Sequence, residues 1–439
     1  MILPKGESNQ VGQDYPLQEV PADSRRSFLS TSMVLLGFTF FTATMWGGGS
    51  LGVAFSFSRL LWVVVLGNAL LAGYVAILGL IAFRTGLNSV LLARFSFGDL
   101  GSKWTDLVLI VTQIGWYAWG AATIAIIMMH LLHLPDWTRV PVTIFFGLAF
   151  SWTAYVGYRG LEVLSVFSVP LMLILIFWSF FIGFRDVGGL AGLFAVEPTE
   201  TMPLGQAVTI IVGTFVSGGT MATNWTRFAA SARIAVLASV LAFFLGNGLM
   251  IMAGALGAMV YQQPDLVKVL MMQGLLLAGA LLLFLNIWTT QDNTVYNFSV
   301  AGCNLLRTKQ RKNMTITGAC LGTVLAVLGF HAWLVPWLTL LGKVIPPIGG
   351  VIMADFFYRH KGVYPRLASV RIKPLNFSGI LGYIVGAAAA FFSPGVAPIN
   401  GIIAAVMGYI LADLILNLTG YPQKHQSREH PQATLFGKG

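Results

Sequence analysis

The chain has 439 residues, 56% of them hydrophobic and only 10% charged, and carries a net charge of +10. So much apolar side chain with so little charge cannot be hidden in a water-soluble core, which excludes a soluble globular class and makes lipid the solvent. Cys303 and Cys320 are the only cysteines, too few and too far apart for a disulfide scaffold or a zinc site.

In chain order, residues 1–24 read as a retained polar tail, with no small-residue cleavage site behind a short apolar stretch. Uncharged apolar runs then recur at about 28–56, 60–83, 104–132, 139–157, 161–184, 205–227, 234–260, 274–304, 314–330, 335–357, 375–393 and 397–418. Each is long enough to cross roughly 30 Å of hydrocarbon. Stretches such as Leu60 to Phe83 are apolar on every face, which excludes the alternating pattern of a barrel and predicts an all-α integral membrane protein of twelve spans. Charge supports this count. Twenty-one lysines and arginines fall in the segments on the side of the N-terminus, against four (Arg59, Arg139, Arg185, Lys268) on the other, with Lys343 inside a span. By the positive-inside rule both termini are expected in the cytoplasm, and topology accounts for the basic balance without a nucleic-acid partner. The polar tail from 419 to 439 is expected to be disordered.

Two spans contain helix breakers. The first carries Gly47, Gly48 and Gly49 within the run Phe40 to Ser50, and the sixth carries Gly213, Gly218 and Gly219 within Gly213 to Thr220. Glycine is a poor helix former, and five spans of separation bring the two segments in from opposite sides, as an inverted repeat of spans 1–5 and 6–10 requires. Both are expected to unwind near the bilayer midplane; close helix packing through small residues is the other reading.

The eighth span has the strongest polar signal. Asn286, Thr289, Thr290, Asn293 and Asn297 recur as one helical stripe, which must face the bundle interior or a water-filled path. Such neutral oxygens suit a hard monovalent cation, with carbonyls freed by an unwound first span to complete its shell. In the third span Gln113, Trp116 and Tyr117 share a face; an amide beside a broad aromatic plane suits a flat, hydrogen-bonding ring, and Phe215 is placed to cover its other side. Asp292 lies off the polar face and is expected in a pairing role, with a proton relay as the rival. Asp106 is expected at an interfacial helix start, and His130 and His133 at a solvated span end. No paired carboxylates, metal-ligand cluster or nucleophile and base point to an enzyme.

The runs Gln113 to Trp116, Gly213 to Thr220, Leu285 to Asn293 and Ile345 to Ile352, with Leu91 to Gly98 and Phe243 to Asn247, resemble the cytosine permeases of the nucleobase-cation-symport-1 family, over about residues 27–418. The resemblance implies the five-plus-five inverted-repeat fold of the sodium-coupled leucine transporter with two extra C-terminal helices: a first repeat at 25–187, a second at 205–358, and spans 11 and 12 at 375–418. It implies a monomeric inner-membrane symporter of cytosine and sodium, surrounded by lipid and needing no cofactor beyond the transported ion. Trp116 and Phe215 would sandwich the base, while Gln113, Thr214, Ser217, Asn286 and Asn293 would bond its polar edge. Sodium would lie between the carbonyls of Phe41, Thr44 and Asn286 and the hydroxyls of Thr289 and Thr290. The same family pattern leads one to expect an acid where this chain has Asn224. Other planar amides by the same fold, proton coupling, and an uncoupled facilitator are the alternatives.

Overall fold

The computed structural model describes residues 15–263, 266–419 and the pair 426–427. Residues 1–14 and most of the 419–439 tail, on which a polar tail and a disordered tail are expected, lie outside the described residues. Eight helices are long and apolar enough to cross a membrane, and Phe28–Thr39 with Thr42–Gly52 forms a ninth, bent span. Helices Leu276–Leu305, Arg311–Val327 and Phe377–Phe392 supply the eighth, ninth and eleventh, so the described chain traverses twelve times. Side chains that meet lipid are apolar and exposed, among them Trp62, Phe167, Phe181 and Leu277. The two ends of the described chain meet on one face, where the loops hold most of the arginines and lysines; this is the basic face.

The first span breaks at Phe40 and Phe41, and its halves are bent by 57°. Phe41 is extended (φ −132°, ψ 131°), so the carbonyls of Phe38 and Phe40 lose the helical amides that would have met them. The three glycines expected to unwind the span instead lie inside its second half, Thr42–Gly52. They are there for contact. A β-carbon on Gly48 or Gly52 would stand 2.1 Å from the carbonyl oxygens of Ile251 or Ala255 in the seventh span, and one on Gly254 would stand 1.7 Å from that of Met45. Two helices thus meet backbone to backbone, the use of small residues that membranes favour. The sixth span needs the same correction. It is helical from Leu204 through Met221, and its irregularity falls at Ala222, before the short helix Thr223–Thr226. Gly213 admits the carbonyl of Leu338, and Gly218 and Gly219 admit the rings and methyls of Phe38 and Val75. In both spans close packing outweighs a propensity cost of about 1 kcal/mol per glycine.

On the basic face, residues 15–26 run across the ends of several spans. Arg227, fully buried, donates from Nη1 to the carbonyls of Tyr15 (2.8 Å) and Gln18 (3.4 Å) and from Nε to that of Asn224 (3.2 Å). Arg25 donates to the carbonyls of Phe83, Arg227 and Ala229, and Glu19 accepts from the Leu367 amide at 2.7 Å. The strap therefore ties the start of the first span to the ends of the second and sixth and to the loop before the eleventh. Replacing Arg227 by methionine keeps the volume and strands carbonyls that only a donor can satisfy. The expected loss is about 2 kcal/mol, seen as a lower unfolding midpoint of the detergent-purified protein.

Several charged residues within spans have defined partners. Asp106 is not interfacial: it is fully buried, with one oxygen accepting from Asn304 Nδ2 at 2.5 Å. Lys343 lies over the Phe391 ring, 5.0 Å from its centroid. Asp355 accepts from Tyr364 and from Tyr409 (2.6 Å), while Asp413 stands 3.7 Å from Arg359. Burial opposes a charge on His360 beside this cluster, but the hydrogen bond and carboxylate of Asp355 outweigh it and hold the imidazole above its ordinary pKa.

Candidate functional site

A small cavity lies where the bend of the first span faces the third, sixth and eighth. It is lined by Phe38, Phe41, Trp116, Thr214, Phe215, Ser217, Gly218, Thr290 and Thr294. Five of these, Trp116, Thr214, Phe215, Ser217 and Thr290, are predicted site residues, and the ring of a sixth, Phe41, also forms a wall. The unfilled space is about 210 Å3, most of it in crevices narrower than a water molecule. A pyrimidine enters only if these walls part.

The walls are aromatic, with few polar groups between them. Trp116 Nε1 donates to Ser217 Oγ at 3.1 Å, joining the third span to the sixth. Phe41 presents its ring edge-on to Trp116 (centroids 5.5 Å apart, 76°) and stands 6.2 Å from Phe215. Phe215 in turn meets Phe38 edge-on at 5.1 Å. Phe41 is thus edge-on to both Trp116 and Phe215, and the three rings make up much of the cavity wall beside the Trp116 and Ser217 polar pair.

Thr290 marks the second feature. Its hydroxyl lies 3.2 Å from the Phe38 carbonyl and 3.1 Å from that of Phe40, the two groups released by the bend. The carbonyls beside Thr290 are therefore those of Phe38 and Phe40, three and four residues earlier than the predicted Phe41 and Thr44. The Phe41 carbonyl accepts from the Thr44 amide at 3.0 Å, and the Thr44 hydroxyl turns away to Asn247 Oδ1 at 3.3 Å. Thr289 donates to its own preceding turn, at 3.1 Å from the carbonyls of Leu285 and Asn286. The Thr290 hydroxyl thus meets the carbonyls of Phe38 and Phe40, and the adjacent Thr289 hydroxyl meets that of Asn286, all neutral oxygens of the kind an alkali cation takes.

Of the other predicted residues, Asn286, Asn293 and Gln113 surround the cavity without lining it, while Thr214 lines it and is tied into the network beside it. Asn286 accepts from Thr42 Oγ1 at 2.8 Å and so bridges the eighth span to the second half of the first. Asn293 donates to the Thr289 carbonyl (2.6 Å) and to Asp292 Oδ1 (3.1 Å), because a one-residue step along the helix carries it around to its neighbour's side. Gln113 Oε1 accepts from Asn297 Nδ2 at 3.4 Å, one turn from Trp116. Thr214 donates to the Ile211 carbonyl at 2.6 Å and accepts from Asn247 Nδ2 at 3.2 Å. Sequence reasoning missed Phe38, Gly218, Thr294 and the hub Asn247. Thr294 was legible, since it follows Thr290 by four residues on the same face; Asn247 stands alone among apolar residues, where no period marks it.

This arrangement has relatives. The chain is 38% identical to the cytosine permease of Escherichia coli strain K12 over 398 residues, 91% of this chain and 94% of that one. It is 22% identical to the hydantoin permease of Microbacterium maritypicum over 377 residues, 75% of this chain and 74% of that one. Among solved structures it shares its fold with a nucleobase-cation-symport-1 family transporter in a closed conformation with bromovinylhydantoin bound. The TM-score is 0.81 at 16% identity, covering 92% of this chain and 95% of that one. These relatives are permeases, proteins of transport and not of catalysis. Residues 19–416 match the family described as permease for cytosine/purines, uracil, thiamine, allantoin, and the chain belongs to that family.

Proposed function

We propose that the protein imports cytosine across the bacterial inner membrane by symport with sodium, through alternating access, with both termini in the cytoplasm. One observation carries this reading: an aromatic cavity bearing the Trp116 and Ser217 polar pair shares Thr290 and the bend of the first span with a set of neutral oxygens. A flat base and a monovalent cation would then be bound by the same two helices, which is what coupling needs. Sodium would be held by the carbonyls of Phe38, Phe40 and Asn286 with Thr289 and Thr290, drawing the bend toward the eighth span and so shaping the wall that Phe38 and Phe41 give to the base. Trp116 and Phe215 would hold the ring faces, and Ser217, Thr214 and Gln113 its polar edge.

Alternating access would move spans 1, 2, 6 and 7 against spans 3, 4, 8 and 9, with the tenth span as the thin gate. Leu338 of that span is buried and lies against Gly213 and Gly47 of the moving helices.

The test is radiolabelled cytosine uptake into proteoliposomes with and without an inward sodium gradient. Uptake raised severalfold by sodium is expected, and by linkage cytosine must tighten sodium binding by the factor that sodium tightens cytosine. Uptake driven only by a proton gradient would overturn sodium coupling. Strong competition by unlabelled uracil, a purine or hydantoin in place of cytosine would reassign the base.

A further inference from the structure

Three amides form a second polar layer one helical turn from the cavity, toward the basic face. Gln113 precedes Trp116 by three residues in the third span, Asn297 follows Thr294 by three in the eighth, and Asn224 lies six residues past Gly218 at the end of the sixth. All three are buried to within 1%. They are joined in one direction: Asn224 Nδ2 donates to Asn297 Oδ1 at 2.7 Å, and Asn297 Nδ2 donates to Gln113 Oε1 at 3.4 Å.

Direction matters because a side-chain amide has a donor end and an acceptor end. With Oε1 of Gln113 turned to Asn297, its Nε2 is left to face elsewhere. That amino group has a marginal contact at 3.5 Å with Thr112 Oγ1, a hydroxyl that gives its own proton to the Leu109 carbonyl at 2.7 Å. Asn224, the first donor, leaves its own Oδ1 without a donor among the described residues.

Resting on the reading that a planar heterocyclic amide occupies this cavity, we propose that Asn224 is a specificity-determining positioning residue. Through Asn297 it sets which end of the Gln113 amide meets the ligand, so that the ring edge read there must carry a hydrogen-bond acceptor. A ring with a donor at that edge would face N–H against N–H in a dry site. The resulting mispairing costs on the order of tenfold to a hundredfold in affinity.

A carboxylate at either relay position reverses the direction without changing the shape. In Asn224→Asp the ionised side chain only accepts. Asn297 then turns its Nδ2 toward residue 224 and its Oδ1 toward Gln113, whose carbonyl oxygen swings to the ligand. In Asn297→Asp the carboxylate accepts from both Asn224 and Gln113, with the same result. A relay that only fastened the sixth span to the eighth would weaken every ligand alike.

The experiment measures binding of cytosine, uracil, a purine, hydantoin and allantoin to the detergent-purified full chain, by tryptophan fluorescence, in wild type, both aspartate variants, Gln113→Glu and Asn224→Leu. Cytosine and uracil exchange donor and acceptor at ring positions 3 and 4, so their affinity ratio reports the polarity of the amide. We expect that ratio to shift by about tenfold or more, in one common direction, in Asn224→Asp, Asn297→Asp and Gln113→Glu, and to fall toward one in Asn224→Leu. An unchanged ratio in the aspartate variants, or an equal loss for all ligands, overturns the relay alone. A wild-type protein that binds none of the five rings overturns the transport reading and the relay together.

Discussion

Thr290→Val abolishes the response of uptake to a sodium gradient, by tenfold or more in the sodium concentration needed for half-stimulation, while the protein remains folded. The change keeps the β-branched shape and removes one oxygen. That oxygen is the group that joins the eighth span to the bend of the first, 3.2 Å and 3.1 Å from the carbonyls of Phe38 and Phe40. A cation in a small shell of neutral ligands has no other donor to recruit there, and each tenfold is 1.4 kcal/mol, well within the worth of one buried ligand. Thr290→Ser restores the oxygen and most of the response. Thr289→Val has a smaller effect on folding, since the Thr289 hydroxyl bonds only its own turn. Uptake measured against a sodium series decides it: a Thr290→Val protein as sodium-sensitive as wild type would remove this oxygen set from the coupling mechanism.

The second large effect is steric. Gly254→Val places a β-carbon 1.7 Å from the Met45 carbonyl oxygen, about half the distance that two such atoms tolerate, and the atom in the way is backbone. The second half of the first span must then move off the seventh by more than an ångström. That displaces the bend that supports both the cavity and the oxygen set. We expect a loss of about 3 kcal/mol or more and no uptake, with little folded protein recovered in detergent. The control is Gly73→Ala in the second span, exposed and with nothing within 4 Å of its added carbon, which is expected to be neutral or slightly stabilising. Size-exclusion profiles and thermal unfolding of the two variants give the comparison, and a well-folded, active Gly254→Val protein would refute the packing argument.

The extent to which these features were legible beforehand follows from which force set each one. Length and apolarity mark the spans because lipid leaves no alternative to a helix, so the run Leu204 to Thr226 could be placed within a residue or two. The buried stripe of the eighth span was legible for the same reason, polar groups having nowhere to go but inward. The breaks were misplaced because glycine carries two meanings. In Gly48 and in Gly213 it admits a neighbouring carbonyl, and only the neighbour, distant in sequence, tells this from unwinding. The actual bend at Phe40 and Phe41 has no breaker residue at all; it is imposed by what the two half-helices pack against. Trp116 and Phe215 were legible as aromatic planes beside an amide, and Ser217 through the family resemblance. Their convergence with Phe38 and Phe41 depends on a three-dimensional crossing that no periodicity contains. Asp106 was misjudged because its partner Asn304 lies 198 positions away.

The first part of the strap, residues 15–18, is held by main-chain oxygens. Arg227 reads the carbonyls of Tyr15 and Gln18, and Asn88 reads that of Pro16 at 3.0 Å, while the side chains of those residues take no part in these bonds. A grip of this kind recognises the path of the chain and is blind to its lettering. Across descendants of this gene the wording of positions 15, 16 and 18 is therefore free to drift while their spacing from Arg25 is not. An inserted or deleted residue would put every oxygen out of register at once.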